Sequence, residues 1–110
     1  MQPLTSFLRE MFGDDFPIAT GRAERDDPLI ITEKINYVSI EYVVAQALME
    51  GQDYEFESQG IRQVNGRTID ELVYAVKEPG EEDWTLTRRF FFDITDGFEY
   101  LAVLIAQSEH

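Results

Sequence analysis

Apolar and polar residues alternate along this chain with two different periods, and the change of period marks its elements. From Pro3 to Phe12 the apolar residues Leu4, Phe7, Leu8, Met11 and Phe12 fall at the three- and four-residue spacing of one helical face. Gly13 can end that helix with a left-handed residue. From Asp14 to Pro28 no period survives, and the stretch reads as an exposed connection in which only Phe16, Pro17 and Ile18 offer an apolar patch. A connection this long is uncommon unless it is functional or disordered, so its mixture of Arg22, Arg25, Asp26 and Asp27 marks it as a segment to follow. Leu29 to Thr32, β-branched and following a proline, reads as a short strand. The helical period then returns: Ser39 is the expected N-cap, Ile40, Val43, Val44, Ala47 and Leu48 form the apolar stripe, Glu41 and Gln46 face away, and Gly51 is the stop.

Beyond Asp53 the period becomes two, broken at Asn65-Gly66, Pro79-Gly80 and Asp96-Gly97, dipeptides whose backbone freedom suits tight reversals. This predicts a four-stranded meander. Setting Val76 opposite Trp84 and Tyr74 opposite Leu86 collects Leu72, Tyr74, Val76, Trp84, Leu86, Phe90, Phe92 and Ile94 on one face, the expected core. An uninterrupted two-residue turn at Asn65-Gly66 would put Tyr54 and Phe56 on the wrong side, so a β-bulge is expected near Gly60 to bring Phe56 opposite Tyr74 and Tyr54 opposite Val76. The segment 98–106 carries apolar residues on both faces. Hairpin chemistry favours a fourth strand there, and the competing reading is a helix capped by Asp96.

Helix, short strand, central helix and a four-stranded antiparallel meander make an α+β fold over a single domain, residues 1–110, with a long polar loop near 13–28. The arrangement resembles the cystatin-like topology, a helix lying across a curved antiparallel sheet. The resemblance stops at arrangement, because Gln63-Val64-Asn65-Gly66 does not match the cystatin inhibitor loop, and fold likeness assigns no activity.

Charge and missing chemistry narrow the function classes. The 110 residues hold 22 acidic side chains against 9 Lys plus Arg, for a net charge of −13. Such a field repels nucleic acid and anionic lipid and favours a basic protein partner. No cysteine is present, which excludes disulfides and thiolate chemistry and fits a cytoplasmic location. The first ten residues do not read as a secretion signal, and the longest apolar run, Leu101 to Ala106, is far too short to span a membrane. The single histidine is His110, the last residue given, where a frayed end is the expectation. No nucleophile elbow, phosphate loop, calcium loop or metal-ligand spacing appears, so no catalytic residue, metal or cofactor is assigned.

Three features remain. Glu81, Glu82 and Asp83 form an acidic loop suited to contact with a basic surface. Phe91 alternates outward from the core, beside Tyr100 in the strand reading, and this aromatic patch calls for a cover such as the N-terminal helix or a second copy of the chain. Arg88 and Asp70 both project onto the apolar face, diagonal to one another in the register above, where they are expected to pair. The leading functional reading is a non-enzymatic protein-binding module that uses its acidic loops or an exposed aromatic sheet face against another protein, a basic partner or a second copy in a homodimer. The second is a small-ligand-binding or carboxylate-dependent domain with a pocket between the central helix and the concave sheet, formed by Arg88, Asp70 and Tyr74.

Overall fold

The computed structural model describes residues 3–108, so His110 lies outside the described residues. Helix α1 (Leu4–Phe12) buries Leu8 and ends where the Gly13 N–H donates to Arg9 O at 2.8 Å with φ at 111°. The connection after it is folded rather than loose. Ala19 N donates to Ile30 O and Ile30 N to Thr20 O, Ile18 bridges Ile31, and the exposed tip closes between Glu24 and Asp27. Two glycine-like positions shape it. Gly21 takes φ 122°, and a Cβ there would overlap the Pro28 carbonyl; Ala23, at φ 60°, is buried.

Strand β1 (Leu29–Ile30) leads to α2 (Tyr37–Leu48), which begins two residues before the expected cap at Ser39. Strands β2 (Asp53–Val64), β3 (Arg67–Lys77) and β4 (Leu86–Asp93) form antiparallel pairs, and the sheet order is β1-β4-β3-β2. The expected antiparallel meander is therefore corrected at its fourth place. β1 lies there instead, parallel to β4, with Leu29 against Phe92 and Ile30 against Asp93. Beyond that pairing, Phe91 N donates to Ala23 O, so the connection closes more of the same edge. The edge of β4 that a returning hairpin strand would pair with is thus taken from Phe91 to Asp93.

The segment 98–106 consequently belongs to helix α3 (Thr95–Ser108). The cause lies just upstream of the Asp96-Gly97 turn signal. The Asp93 carboxylate accepts the Thr95 N–H at 3.1 Å and its hydroxyl at 2.6 Å, satisfying a donor at the start of the helix. Gly97 then sits in the first helical turn against the Tyr37 ring, where any Cβ would clash.

The expected bulge exists, three residues earlier than expected. The β2–β3 ladder shifts between Phe56 and Ser58, so Glu57 is the extra residue, and Gly60 pairs regularly with Glu71. Tyr54 lies opposite Val76 and Phe56 opposite Tyr74 as the face pattern requires. The core lies between the sheet's inner face (Leu72, Tyr74, Val76, Phe90, Phe92) and Leu8, Leu29, Ile31, Val44, Ala45 and Met49. At about 25 cal/mol per Å² of apolar surface removed from water, a fully buried leucine or phenylalanine contributes about 1.5 to 3 kcal/mol, so this layer carries the fold's stability.

Candidate functional site

At the seam between α2 and the sheet lies a polar network in an apolar setting. The sequence pattern turned Glu41 outward, but α2 is apolar on most of its circumference, and the stripe that meets the sheet is Tyr37, Glu41, Val44 and Ala45. Glu41 and Asp70 are both fully buried. Asp70 Oδ2 accepts from Gln59 Nε2 at 2.5 Å, and Gln59 Oε1 accepts from the Tyr42 hydroxyl at 3.3 Å. The bulge makes this possible, because the extra residue at Glu57 rotates Gln59 onto the inner face, opposite Leu72 and diagonal to Asp70.

If both carboxyls were ionised, Glu41 Oε1 and Oε2 and Asp70 Oδ1 would be buried without a donor. A proton resolves the conflict. Burial, then the hydrogen bond to Asp70 and its charge, push the Glu41 carboxyl up to about 10, so it is a neutral acid at pH 7 that donates to Asp70. Burial, the neighbouring tyrosines and Glu41 likewise push Tyr74 up to about 12.

Arg88 and Asp70 share the inner face but do not pair. The β3–β4 register runs two residues away from the expected one, with Val76 opposite Leu86 and Tyr74 opposite Arg88, because residues 78–85 form a longer connection than a tight turn. Asp70 is thus four residues along the strand from Tyr74, about 13 Å at the rise of a β-strand. Arg88 instead donates to Leu48 O at 2.7 Å and Gln52 Oε1 at 3.2 Å, satisfying a carbonyl at the C-terminal end of α2, and packs over Phe90. It lines a cavity of about 810 Å³ with Arg22, Arg89, Glu24 and Asp27, whereas Asp70 and Tyr74 are core residues.

The sheet's outer face gathers arginines. Glu71 accepts from Arg62 at 2.7 Å and Arg89 at 3.1 Å, and Asp93 holds Arg67 through two bonds, of 2.8 and 3.2 Å. Burial pushes the Asp93 carboxyl up, but its bonds to Arg67 and Thr95 outweigh that and hold it below the usual range. Phe91 points outward as read, but it is only 6% exposed. Its cover is the Arg25 guanidinium, 5.1 Å from the ring centroid, rather than the N-terminal helix. Arg25, Arg62 and Arg67 border a cavity of about 540 Å³ with Asn65, Asp26 and Phe91.

The third surface is the far part of α3. Tyr100 to Ser108 carries no charge, and Leu101, Val103, Leu104 and Ile105 are 42 to 53% exposed. At 100° per residue these four positions spread over roughly 200° of the helix. Tyr100, Leu101 and Leu104 also face Ile35 and Val38 across a groove of about 290 Å³ with Lys34 at its edge. Tyr100 thus belongs to this groove and is not a neighbour of Phe91 in a sheet. Glu81, Glu82 and Asp83 are exposed in the β3–β4 connection, beside Trp84, over which Lys77 stacks at 5.0 Å.

Among the described residues no three His, Cys, Asp or Glu side chains gather closely enough to hold a metal ion, and no helix is long and apolar enough to cross a membrane. Sequence reasoning missed Glu41, Gln59 and the apolar groove on α3. The only available sign for Glu41 was an acidic residue four positions after Tyr37 in a helix apolar nearly all round. No protein-family model, curated protein or solved structure matches this chain.

Proposed function

We propose that this chain is a non-enzymatic protein-binding module whose contact surface centres on the uncharged part of α3 and the groove it forms with Ile35 and Val38. The observation that carries this reading is the exposure of Leu101, Val103, Leu104 and Ile105 on the uncharged part of α3, beside a groove shared with Ile35 and Val38. Surface apolar residues are ordinary when scattered, but a contiguous group on one helix, joined to a groove, is the pattern of a surface that another protein covers.

The occupant is a basic protein presenting an apolar cleft. A second copy brings the same −13 charge, whereas a basic rim is attracted to Asp96 and Glu99 at the base of α3, and the net charge, to which the Glu81–Asp83 loop at the other end of β4 contributes, adds a longer-range attraction. The ligand-binding reading around Arg88, Asp70 and Tyr74 stands second, because Asp70 and Tyr74 are packed against core residues and only Arg88 reaches a cavity.

Affinity capture with the wild-type chain and with a Leu101→Asp/Leu104→Asp variant tests the proposal. Captured proteins are identified and binding is remeasured with the purified candidate across a salt series. The expected result is a basic partner whose affinity falls with salt and is lost in the variant, while the variant's unfolding curve matches wild type. A dimer by light scattering that the same variant dissolves would replace the basic partner with a second copy. Equal capture by both forms would refute the surface.

A further inference from the structure

Nine lysines and arginines serve the whole chain, and three of them meet at one cavity on the outer sheet face. Arg62 and Arg67 are half-exposed, and each is fixed from behind, Arg62 by Glu71 and Arg67 by Asp93. These bonds use one N–H-bearing nitrogen of Arg62 and two of Arg67, so both guanidinium groups, which line the cavity, keep further donors. Arg25 has no acidic partner among the described residues and sits over the Phe91 ring. The turn residue Asn65 adds an amide, with φ at 52°, and Val64 and Pro28 supply apolar wall. Among the described residues Asp26 is the one carboxylate on the lining.

The larger cavity near α1 offers a contrast within the same molecule. It also has three arginines, but Arg22 is bonded to Asp27 and faces Glu24, both carboxylates line that cavity, Arg89 is held by Glu71, and Arg88 is spent on Leu48 O and Gln52. The outer-face cavity combines a guanidinium without an acidic partner among the described residues with two others held by carboxylates behind them, and guanidinium forks that are already in position bind planar or tetrahedral anions at little entropic cost.

We propose that this cavity is a binding site for a small organic anion, a carboxylate or phosphate carrying a flat apolar portion. Its charged group lies among Arg25, Arg62 and Arg67 with Asn65, and its apolar portion lies on Val64 and Pro28. The volume of about 540 Å³ is that of ordinary small-ligand sites. The site is separate from the α3 surface and does not depend on it.

Benzoate, phenyl phosphate and inorganic phosphate are the probes, titrated into isotope-labelled full-length chain while the arginine Nε–H and Phe91 amide resonances are followed. The expected result is a saturable shift at Arg25, Arg62 and Arg67, with an aromatic anion binding several-fold more tightly than inorganic phosphate. Preference for phenyl phosphate identifies a phosphate ligand and preference for benzoate a carboxylate. Arg25→Ala should weaken binding by about tenfold or more, in line with the loss of one charge-assisted contact. Lys77→Ala, at the far end of β3 over Trp84, should leave it unchanged. If Arg25→Ala disturbs the loop, Arg62→Gln gives an independent reading, since Glu71 retains Arg89. No saturable shift at millimolar probe, or unchanged affinity in both Arg25→Ala and Arg62→Gln, would overturn the site.

Discussion

Replacing Glu41 by glutamine should make this protein more stable, by an amount that grows with pH. The folded state holds the Glu41 carboxyl at about 10 against 4.5 in the unfolded chain. A raised pKa means that above pH 4.5 the folded state carries a proton that the unfolded chain has released. Stability linked to Glu41 is therefore complete below pH 4.5 and is lost progressively as pH rises toward 10. At 1.36 kcal/mol per pH unit the loss at pH 7 is about 3 kcal/mol, a large fraction of the 5 to 15 kcal/mol of a typical domain. Glutamine has the shape of the neutral acid and can donate to Asp70 without a proton equilibrium. The assay is urea unfolding of both forms between pH 5 and pH 8. Because the two forms differ at residue 41 alone, the gap between them isolates that substitution, and it should widen by about 1.4 kcal/mol per pH unit. The absolute gain at pH 7 is smaller than 3 kcal/mol to the extent that the second amide hydrogen of glutamine finds no acceptor. A gap that does not change with pH would show that Glu41 is ionised in the fold or reaches water, and the protonated pair would be refuted.

Gly97→Ala should destabilise by about 1 to 3 kcal/mol in a thermal melt, because the new methyl group meets the Tyr37 ring where α3 crosses the start of α2. Arg67→Met should cost about 1 to 2 kcal/mol at pH 7, less than a fully buried pair would because Arg67 is half-exposed. Asp93 is held below its ordinary 3.8, so its contribution is present above that pH and vanishes as pH falls through the lowered value. The Arg67→Met deficit should therefore shrink in acid, and a deficit independent of pH would contradict the ion pair. Changing Glu81, Glu82 and Asp83 to Gln, Gln and Asn should leave the melting curve unchanged, since all three are exposed, while weakening a basic partner at low salt.

What the chain declares by itself is whatever depends on local period and on faces. The α1 stripe, the central helix, the Asn65-Gly66 hairpin and the need for a bulge in β2 all follow from residues within a turn or a strand pair of one another. The bulge shows the limit of that reasoning. Face matching required one extra residue but could not choose among Glu57, Gly60 and their neighbours, since each position restores the same alternation at Tyr54 and Phe56. Asp70 was legible as a charge aimed inward for the same reason, and so was the outward direction of Phe91.

Tertiary structure decided everything that depended on a competition between distant partners. Asp96-Gly97 has hairpin chemistry, yet a hairpin needs a free edge on β4, and β1 with Ala23 occupies it from the other end of the sequence. Arg88 and Asp70 share a face in either register, but the length of the 78–85 connection slides β4 by two residues, and a two-residue slide preserves every face while changing every neighbour. Glu41 illustrates the same point in a helix. With apolar residues nearly all round α2, periodicity could not set its rotation, and the sheet chose the face that carries a carboxyl. That choice puts an acid beside Asp70, and gathering Arg25 with Arg62 and Arg67 likewise required the long connection to fold back over the sheet. Spacing along a chain records neither meeting, because each joins residues whose separation in sequence is large and whose proximity is a property of the packed layers alone.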